Sequence, residues 1–385
     1  MKILLLNANR VGIGTYHRAL HFGRELARHG HKVKMMTVSN TSRFRPHVRQ
    51  DSERLCIVEC PNFGDELLPW HASGVIDIAL RLRELFTERY DIVYAFEYQP
   101  NISIPVLLAR KLRSFTLISD WCDWHAGASY HFGGKAWAHA IDRYCEEFIR
   151  HRADFITTIN QTLLDRARSI GIAHERLEIV GEGVDPDYIA PQDKRVACER
   201  LGLPVDVPIV GTIRDADAST ALLCAALARS TTPGLHLLVV GSQAEKIRRH
   251  AEAAGVAERV ITPGRVSDED LPGSLAAADA LALPLEDNLV NRGRWPHKLG
   301  DMLAAKRPVI VSRGGEFPEL LDERRCAVVV GFDAPSFARA IDDVLARPDT
   351  YAPFAERGRA LIESELNWDV IGAHLEAVVR RATAT

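Results

Sequence analysis

The sequence predicts an α/β protein made of two doubly wound, Rossmann-like domains facing each other across a cleft. Three observations carry that expectation. Short apolar runs alternate with longer segments of helical periodicity along the whole chain. At 385 residues the chain exceeds what one core of ordinary size encloses. A stretch rich in Gly, Pro and Asp, Gly181 to Asp193, then breaks the alternation near the middle. The domains are placed at 1–185 and 186–366, with a closing helical segment over 367–385 packing on a domain surface.

In the first half, strands are expected at Ile3–Leu6, Val33–Met36, Leu55–Val58, Ile92–Ala95, Phe115–Ser119, Phe155–Thr158 and Leu177–Val180. Each is a short continuous apolar run, as strands covered on both faces require. Helices fall between them at Thr15–Arg28, Ile76–Arg89, Ile102–Leu112, Ala136–His151 and Gln161–Ile170. The second half repeats the plan, with strands at Ile209–Gly211, Leu235–Val240, Val260–Thr262, Ala280–Ala282, Val309–Val311 and Ala327–Val330. The last segment carries Trp368, Ile371, Leu375, Val378 and Val379 at helical spacing. The basic run Arg43 to Arg49 is read as a solvated loop, with contact to an anionic surface as the alternative.

Composition excludes several classes. The net charge is −3 with 26% charged residues, so bulk charge gives no basis for nucleic-acid binding. Seven cysteines, an odd number with no C-x-x-C pair, suit reduced thiols in a cytoplasm. The first residues already read as a strand, and no apolar run approaches the ~18 residues of a membrane helix. A cytoplasmic protein with at most peripheral membrane contact is expected.

The most informative stretch runs from Asn291 to Asp301 (NRGRWPHKLGD). Arg292, Arg294 and Lys298 crowd the start of a predicted helix, with Pro296 at its first position and Trp295 offering no side-chain acceptor. The amides of His297 and Lys298 are then available to an anion. Lys298 and Asp301, three apart, share a face suited to a diphosphate at one end and a ribose diol at the other. An ordinary solvated basic helix start is the bland alternative.

Gly12-Ile-Gly14-Thr15-Tyr-His17 follows the first strand and invites a dinucleotide reading. His17 occupies the third glycine position and no acid ends the second strand, so only a glycine turn able to approach a substrate remains. His17 and His21 read as an ordinary helix face. Three acid pairs, Asp185/Asp187, Asp215/Asp217 and Asp268/Asp270, mimic one metal signature, and such repetition argues against assigning a metal to any. Asp120-Trp-Cys-Asp123-Trp-His125 ends another strand and is suited to orient a hydroxyl or stack on a sugar, with Glu97 beside it. A capped loop with packed tryptophans is its alternative. Arg214 and the turn Gly264-Arg265-Val266 follow strands of the second domain.

With these residues in view, the chain resembles the GT-B glycosyltransferases, especially the retaining group called glycosyltransferase family 4. Gly14 to Val33 is similar to that family's opening turn and first helix, Leu177 to Asp185 to its domain junction, and Trp295 to Val309 to its donor-binding helix. The resemblance implies that Lys298 contacts the donor diphosphate and that Asp301 stands where a glutamate usually grips the ribose. It implies that Gly264, Arg265 and Val266 lie beside the nucleobase and that Arg214 faces the phosphates. Asp120, Asp123 and His125 fall near the reacting sugar, and Gly14, Thr15, His17 and Glu97 on the acceptor side. Two departures stand out. The first acid of a paired-glutamate motif would fall at Gly293, and the lysine usual after the arginine is missing from Ala216 to Thr220, which leaves Arg292 and Arg294 as substitutes.

The implied enzyme moves a sugar from a UDP or GDP sugar to a small-molecule, glycan or lipid-linked hydroxyl acceptor, with retention. It uses the nucleotide sugar as co-substrate and no metal or other cofactor. A nucleotide-sugar epimerase, or a non-catalytic nucleotide-sugar-binding subunit suggested by Gly293, are the alternatives.

Overall fold

A computed structural model describes residues 1–64, 72–124 and 136–384. The chain divides into two compact units. Unit 1 comprises Met1–Glu182, Gly293–Trp295 and Trp368–Thr385, and unit 2 comprises Gly183–Arg292 and Pro296–Asn367.

Unit 1 contains β1 (Lys2–Arg10), β2 (Lys32–Val38), β3 (His47–Ser52), β4 (Leu55–Cys60), β5 (Ile92–Phe96), β6 (Thr116–Trp121), β7 (Phe155–Thr158) and β8 (Leu177–Ile179). They form one 8-stranded sheet in the order β3-β4-β2-β1-β5-β6-β7-β8. All neighbours pair in parallel except β3, which runs antiparallel to β4. The apolar runs are continuous because both faces are covered. Leu5, Tyr94 and Phe96 pack with Phe22 of the helix Tyr16–Arg28 and with Leu375 and Val379 of the helix Trp368–Ala384. Leu4, Leu6 and Val93 pack on the other face with Ile102, Val106, Ile149 and Leu163. The strand order reverses between β1 and β5, the place where such sheets open to ligands.

The structure departs from the sequence reading in one place here. The run Arg43 to Arg49 is not all loop, because β3 begins at His47. β3 is an edge strand, so it needs no apolar run, and its one apolar residue, Val48, is exposed. Arg49 on it donates to the Tyr16 hydroxyl at 2.9 Å and to Asp51 at 3.2 Å. The C-terminal helix joins unit 1, where Trp368 stacks on His21 with ring centroids 4.4 Å apart.

Unit 2 contains β9 (Ile209–Ile213), β10 (His236–Val240), β11 (Val260–Gly264), β12 (Ala280–Leu283), β13 (Val309–Ser312) and β14 (Val328–Val330). Its 6-stranded sheet is parallel throughout, in the order β11-β10-β9-β12-β13-β14, and reverses between β9 and β12. Val210, Val239, Ala282 and Ile310 point into a core with Leu223, Phe337 and Ile341. The intervening positions Ile209, Leu281, Val309 and Val311 are also buried, as the period of two demands when both faces are covered. Among the described residues no helix is long and apolar enough to cross a membrane.

Candidate functional site

In unit 2 the chain leaves β9 at Arg214, whose amide donates to the Val240 carbonyl at 2.8 Å. The partner loop begins with Gly241, where a Cβ would stand 1.9 Å from the Arg214 carbonyl oxygen, so only glycine permits this approach. The Arg214 guanidinium donates to Asp217 at 2.8 and 3.1 Å. Asp217 in turn accepts from the amides of Ser219 and Thr220 and caps the helix Ala218–Arg229. Asp215 accepts from the Ser242 amide at 2.8 Å and its hydroxyl at 2.7 Å. Those bonds, opposed by burial and aided by the charge of Lys298, hold the Asp215 carboxyl below its ordinary value. The acid pair Asp215/Asp217 is therefore scaffolding for this loop.

The helix that carries Lys298 and Asp301 spans His297–Ala304. Pro296 is its N-cap rather than its first helical residue, and no side chain caps the first turn. Burial pushes the Asp301 carboxyl up to about 7, with Lys298 opposing. Lys298 is thus within electrostatic reach of both Asp215 and Asp301.

Gly264 ends β11 with φ +87° and accepts, through its carbonyl, from the Gly241 amide at 3.1 Å. Next to it Arg265 is exposed and Val266 half-buried. Two further glycines pack this end of the sheet. A Cβ on Gly314 would fall 2.4 Å from the Leu285 carbonyl, and one on Gly315, at φ +92°, 2.7 Å from the Asn291 carbonyl. Gly241, Gly314 and Gly315 were missed in the sequence reading. Their signal was a glycine one to three residues beyond a strand's carboxyl end.

The three cations expected to crowd one helix start stand on different elements. Arg292 ends the short helix Leu289–Arg292 and makes a two-pronged pair with Asp287 at 2.6 and 2.7 Å. Arg294 belongs to unit 1, where it forms an antiparallel bridge with Asp123 and its carbonyl accepts from the Asn160 side chain at 3.5 Å. Only Lys298 stands on the helix itself.

In unit 1 the predicted catalytic Asp120 is fully buried. The Arg18 guanidinium donates to both its oxygens, at 2.8 and 3.0 Å, and Thr157 donates to it at 2.6 Å. The same guanidinium donates to the carbonyls of Val180 and Gly181, each at 2.7 Å, and to Glu182 at 3.2 Å. Burial dominates at Glu182 and pushes its carboxyl up to about 7 against the pull of Arg18. Asp120 is the counter-ion of a structural cation, so a role facing substrate is withdrawn. Arg18 and Glu182 were not singled out from the sequence; the one available signal was an arginine on the apolar face of its helix, four residues before Phe22.

Glu97 is likewise buried, with φ +76° in the region that glycine favours. It accepts from the Cys122 amide at 3.2 Å and thiol at 3.0 Å, and from Arg150 at 3.3 Å. Burial raises its carboxyl above the ordinary value, with Arg150 opposing. Glu97 therefore braces the Cys122–Asp123 backbone from beneath instead of lining an acceptor surface. Glu97, Cys122 and Asp123 are the group of potential metal ligands among the described residues, with ligand atoms within 4.8 Å of one another. Burial holds the Cys122 thiol protonated, and that thiol already donates to Glu97.

Of the glycine turn, Gly12 and Gly14 adopt φ +76° and +56°. The Thr15 hydroxyl is buried and accepts from Asn7 at 2.6 Å and Asn9 at 2.8 Å, so it fixes the turn from inside. His17 is exposed at the head of the helix, with Nε2 3.2 Å from the Gly12 carbonyl. Predicted His125 lies outside the described residues.

Comparisons with known proteins bear on the family and the fold. A family model described as glycosyl transferase 4-like domain matches residues 12–183, and one described as glycosyl transferases group 1 matches residues 204–347. A GDP-mannose-dependent monoacylated alpha-(1-6)-phosphatidylinositol monomannoside mannosyltransferase of Corynebacterium glutamicum is 26% identical over 238 residues, 59% of this chain and 62% of that protein. The chain's match thus spans less than two thirds of that relative. Sucrose-phosphate synthase from Thermosynechococcus elongatus superposes with a TM-score of 0.80 at 19% identity, covering 100% of this chain and 99% of that one. Anabaena Alr3699/HepE in complex with UDP-glucose gives 0.74 at 16% identity, covering 99% of each chain. These two structural likenesses show the fold.

Arg18→Ala leaves the buried carboxylates of Asp120 and Glu182 without their cation, which costs about 3–5 kcal/mol. Arg24→Ala, which breaks a surface pair with Asp51 at 2.9 Å, costs at most about 1 kcal/mol. Urea unfolding of both variants checks this, and equal midpoints would contradict the assignment.

Proposed function

Because the chain belongs to the GT-B glycosyltransferases of the family 4 type, we propose that it transfers a sugar from a UDP or GDP sugar to a hydroxyl acceptor. We further propose that transfer retains the anomeric configuration and needs no metal ion. The observation that carries the donor assignment is the grouping of Arg214, Asp215, Lys298 and Asp301 beyond β9, where the unit 2 sheet reverses. The C. glutamicum relative is GDP-mannose-dependent by name, and the HepE structure holds UDP-glucose, which supports a nucleotide-sugar donor of either type.

The difficult step is departure of the nucleoside diphosphate. Negative charge grows on the leaving oxygens, and Lys298 supplies the fixed positive charge to meet it, the Arg214 guanidinium beside it being already engaged by Asp217. The uncapped first turn of His297–Ala304 adds its dipole. Asp301 accepts from the ribose hydroxyls, and the glycine backbone at Gly264 leaves room for a base to lie against the turn, between Arg265 and Val266. In unit 1 the acceptor meets the turn Gly12–Thr15, the ring of His17 and the carboxylate of Asp123, with His125 following. Glu97 and Asp120 act on the acceptor only by holding backbone. Retention follows if a leaving diphosphate oxygen takes the acceptor's proton on the face it departs from. The acceptor is a small molecule, glycan or lipid-linked alcohol, and the relative's name, with its phosphatidylinositol mannoside, favours the last. Seven free thiols support a reducing, cytoplasmic setting.

Each charge-assisted hydrogen bond contributes about 1.5–3 kcal/mol, so Lys298→Ala lowers turnover by roughly ten-fold or more with an unchanged unfolding profile. Arg292→Ala, whose charge Asp287 already engages, changes turnover by less than about two-fold. Product analysis with UDP and GDP sugars checks both, and a Lys298→Ala rate equal to wild type would overturn the donor site. A sugar altered without any acceptor would identify an epimerase instead.

The pH dependence has a definite sign. Asp301 is raised from 3.8 to about 7, so the folded chain binds more protons than the unfolded one across that window. Its contribution to stability therefore falls as pH rises from 3.8 to about 7. The ionised form is the better ribose acceptor, so the donor KM falls as pH rises through that value. Asp301→Asn flattens the profile, and an unaltered pH dependence in this variant would contradict the ribose role.

A further inference from the structure

A cavity of about 1250 Å³ opens in unit 2 at the amino ends of β9, β12 and β13, the opposite edge of the sheet from Arg214. Ligand pockets commonly enclose about 300–1,000 Å³. Its apolar wall includes Pro208, Pro308, Val344 and Ala352.

The charges around it are not evenly matched. Every carboxylate lining it is held by the protein. Asp279 accepts from Lys194 at 2.7 Å and the Ile209 amide at 2.8 Å. Asp342 accepts from Ser230, Thr231 and Thr232, and Asp343 from Arg347 and Tyr351. Glu356 pairs with Lys306 at 2.9 Å, and Asp206 with Arg195 at 3.4 Å. Two cations on the same wall are held differently. Arg307 donates through one nitrogen to the carbonyls of Gln192 and Ala276, at 2.9 and 2.8 Å, while its buried Nε has no partner. Arg339 donates to the Ser336 hydroxyl at 3.1 Å. Among the described residues neither guanidinium has a carboxylate within ion-pair distance. Burial pulls Arg307 below its ordinary value, with the charges of Asp279 and Asp193 opposing.

A second observation concerns Lys306, just beyond the helix His297–Ala304. It adopts φ +57°, the left-handed conformation that helix ends normally give to glycine. Its ammonium stands on the cavity wall, where it pairs with Glu356 at 2.9 Å.

We propose that this cavity is a second ligand site, for a small organic anion whose phosphate or carboxylate meets Arg307 and Arg339 and whose apolar body covers Pro208 and Pro308. The site is independent of the sugar-transfer reading.

Phenyl phosphate is the probe, titrated into the full chain by calorimetry and thermal shift at constant ionic strength. The expected result is saturable binding, weakened about ten-fold or more in Arg339→Ala and in Arg307→Met. Lys298→Ala keeps full affinity, and inorganic phosphate, lacking the apolar body, binds more weakly. If Arg307→Met does not fold, Arg339→Ala at the exposed rim decides alone. Absence of saturation, a shift reproduced by sodium chloride, unchanged affinity in Arg339→Ala, or loss in Lys298→Ala each overturns the proposal.

Discussion

One guanidinium, that of Arg18, sets the geometry of unit 1. It is 1% exposed and donates to two carboxylates and two carbonyls drawn from β6 and from the segment after β8. Burying an ion pair is expensive unless hydrogen bonds support it, and here Thr157 serves Asp120 while the two carbonyls serve the guanidinium. Everything above the pair inherits its position. The Asp120 carbonyl accepts from the strained Glu97 amide at 3.3 Å, and Glu97 in turn carries Cys122. The helix that bears Arg18 begins at the glycine turn proposed to meet the acceptor. The polar core thus holds the reacting surface without forming part of it.

Unit 2 reaches its geometry by other means. Close backbone approach, at Gly241 against Arg214 and at Gly314 and Gly315 against the loops after β12, replaces a buried charge network. Each contact would be blocked by a single Cβ. The result is a loop cluster at the reversal of the sheet where short polar side chains, Asp215 and Ser242 among them, lock the turn beside Lys298.

Much of the fold was legible because strands covered on both faces leave unbroken apolar runs, as at Ile3–Leu6 and Val309–Val311. β3 escaped because an edge strand carries no such run. The shared helix of Lys298 and Asp301 was legible from helical spacing alone. The fates of Asp120 and Arg292 were not, because each depends on a partner that spacing does not reveal. For Asp120 that partner lies 102 residues away, and for Arg292 it is an acid one loop earlier. Likewise, a glycine after a strand is visible in any sequence, whereas the carbonyl it must admit is visible only once the loops have met.

Binding of a nucleoside diphosphate to the Lys298 helix is the claim on which the functional account rests. Thermal shift with UDP, GDP, TDP and ADP tests it directly. A nucleotide at about 100 times its dissociation constant stabilises the folded chain by roughly 2.7 kcal/mol. The account predicts that UDP or GDP raises the melting temperature of the wild-type chain and that Lys298→Ala loses most of that rise. Silence from all four nucleotides, or an undiminished response in Lys298→Ala, would contradict it.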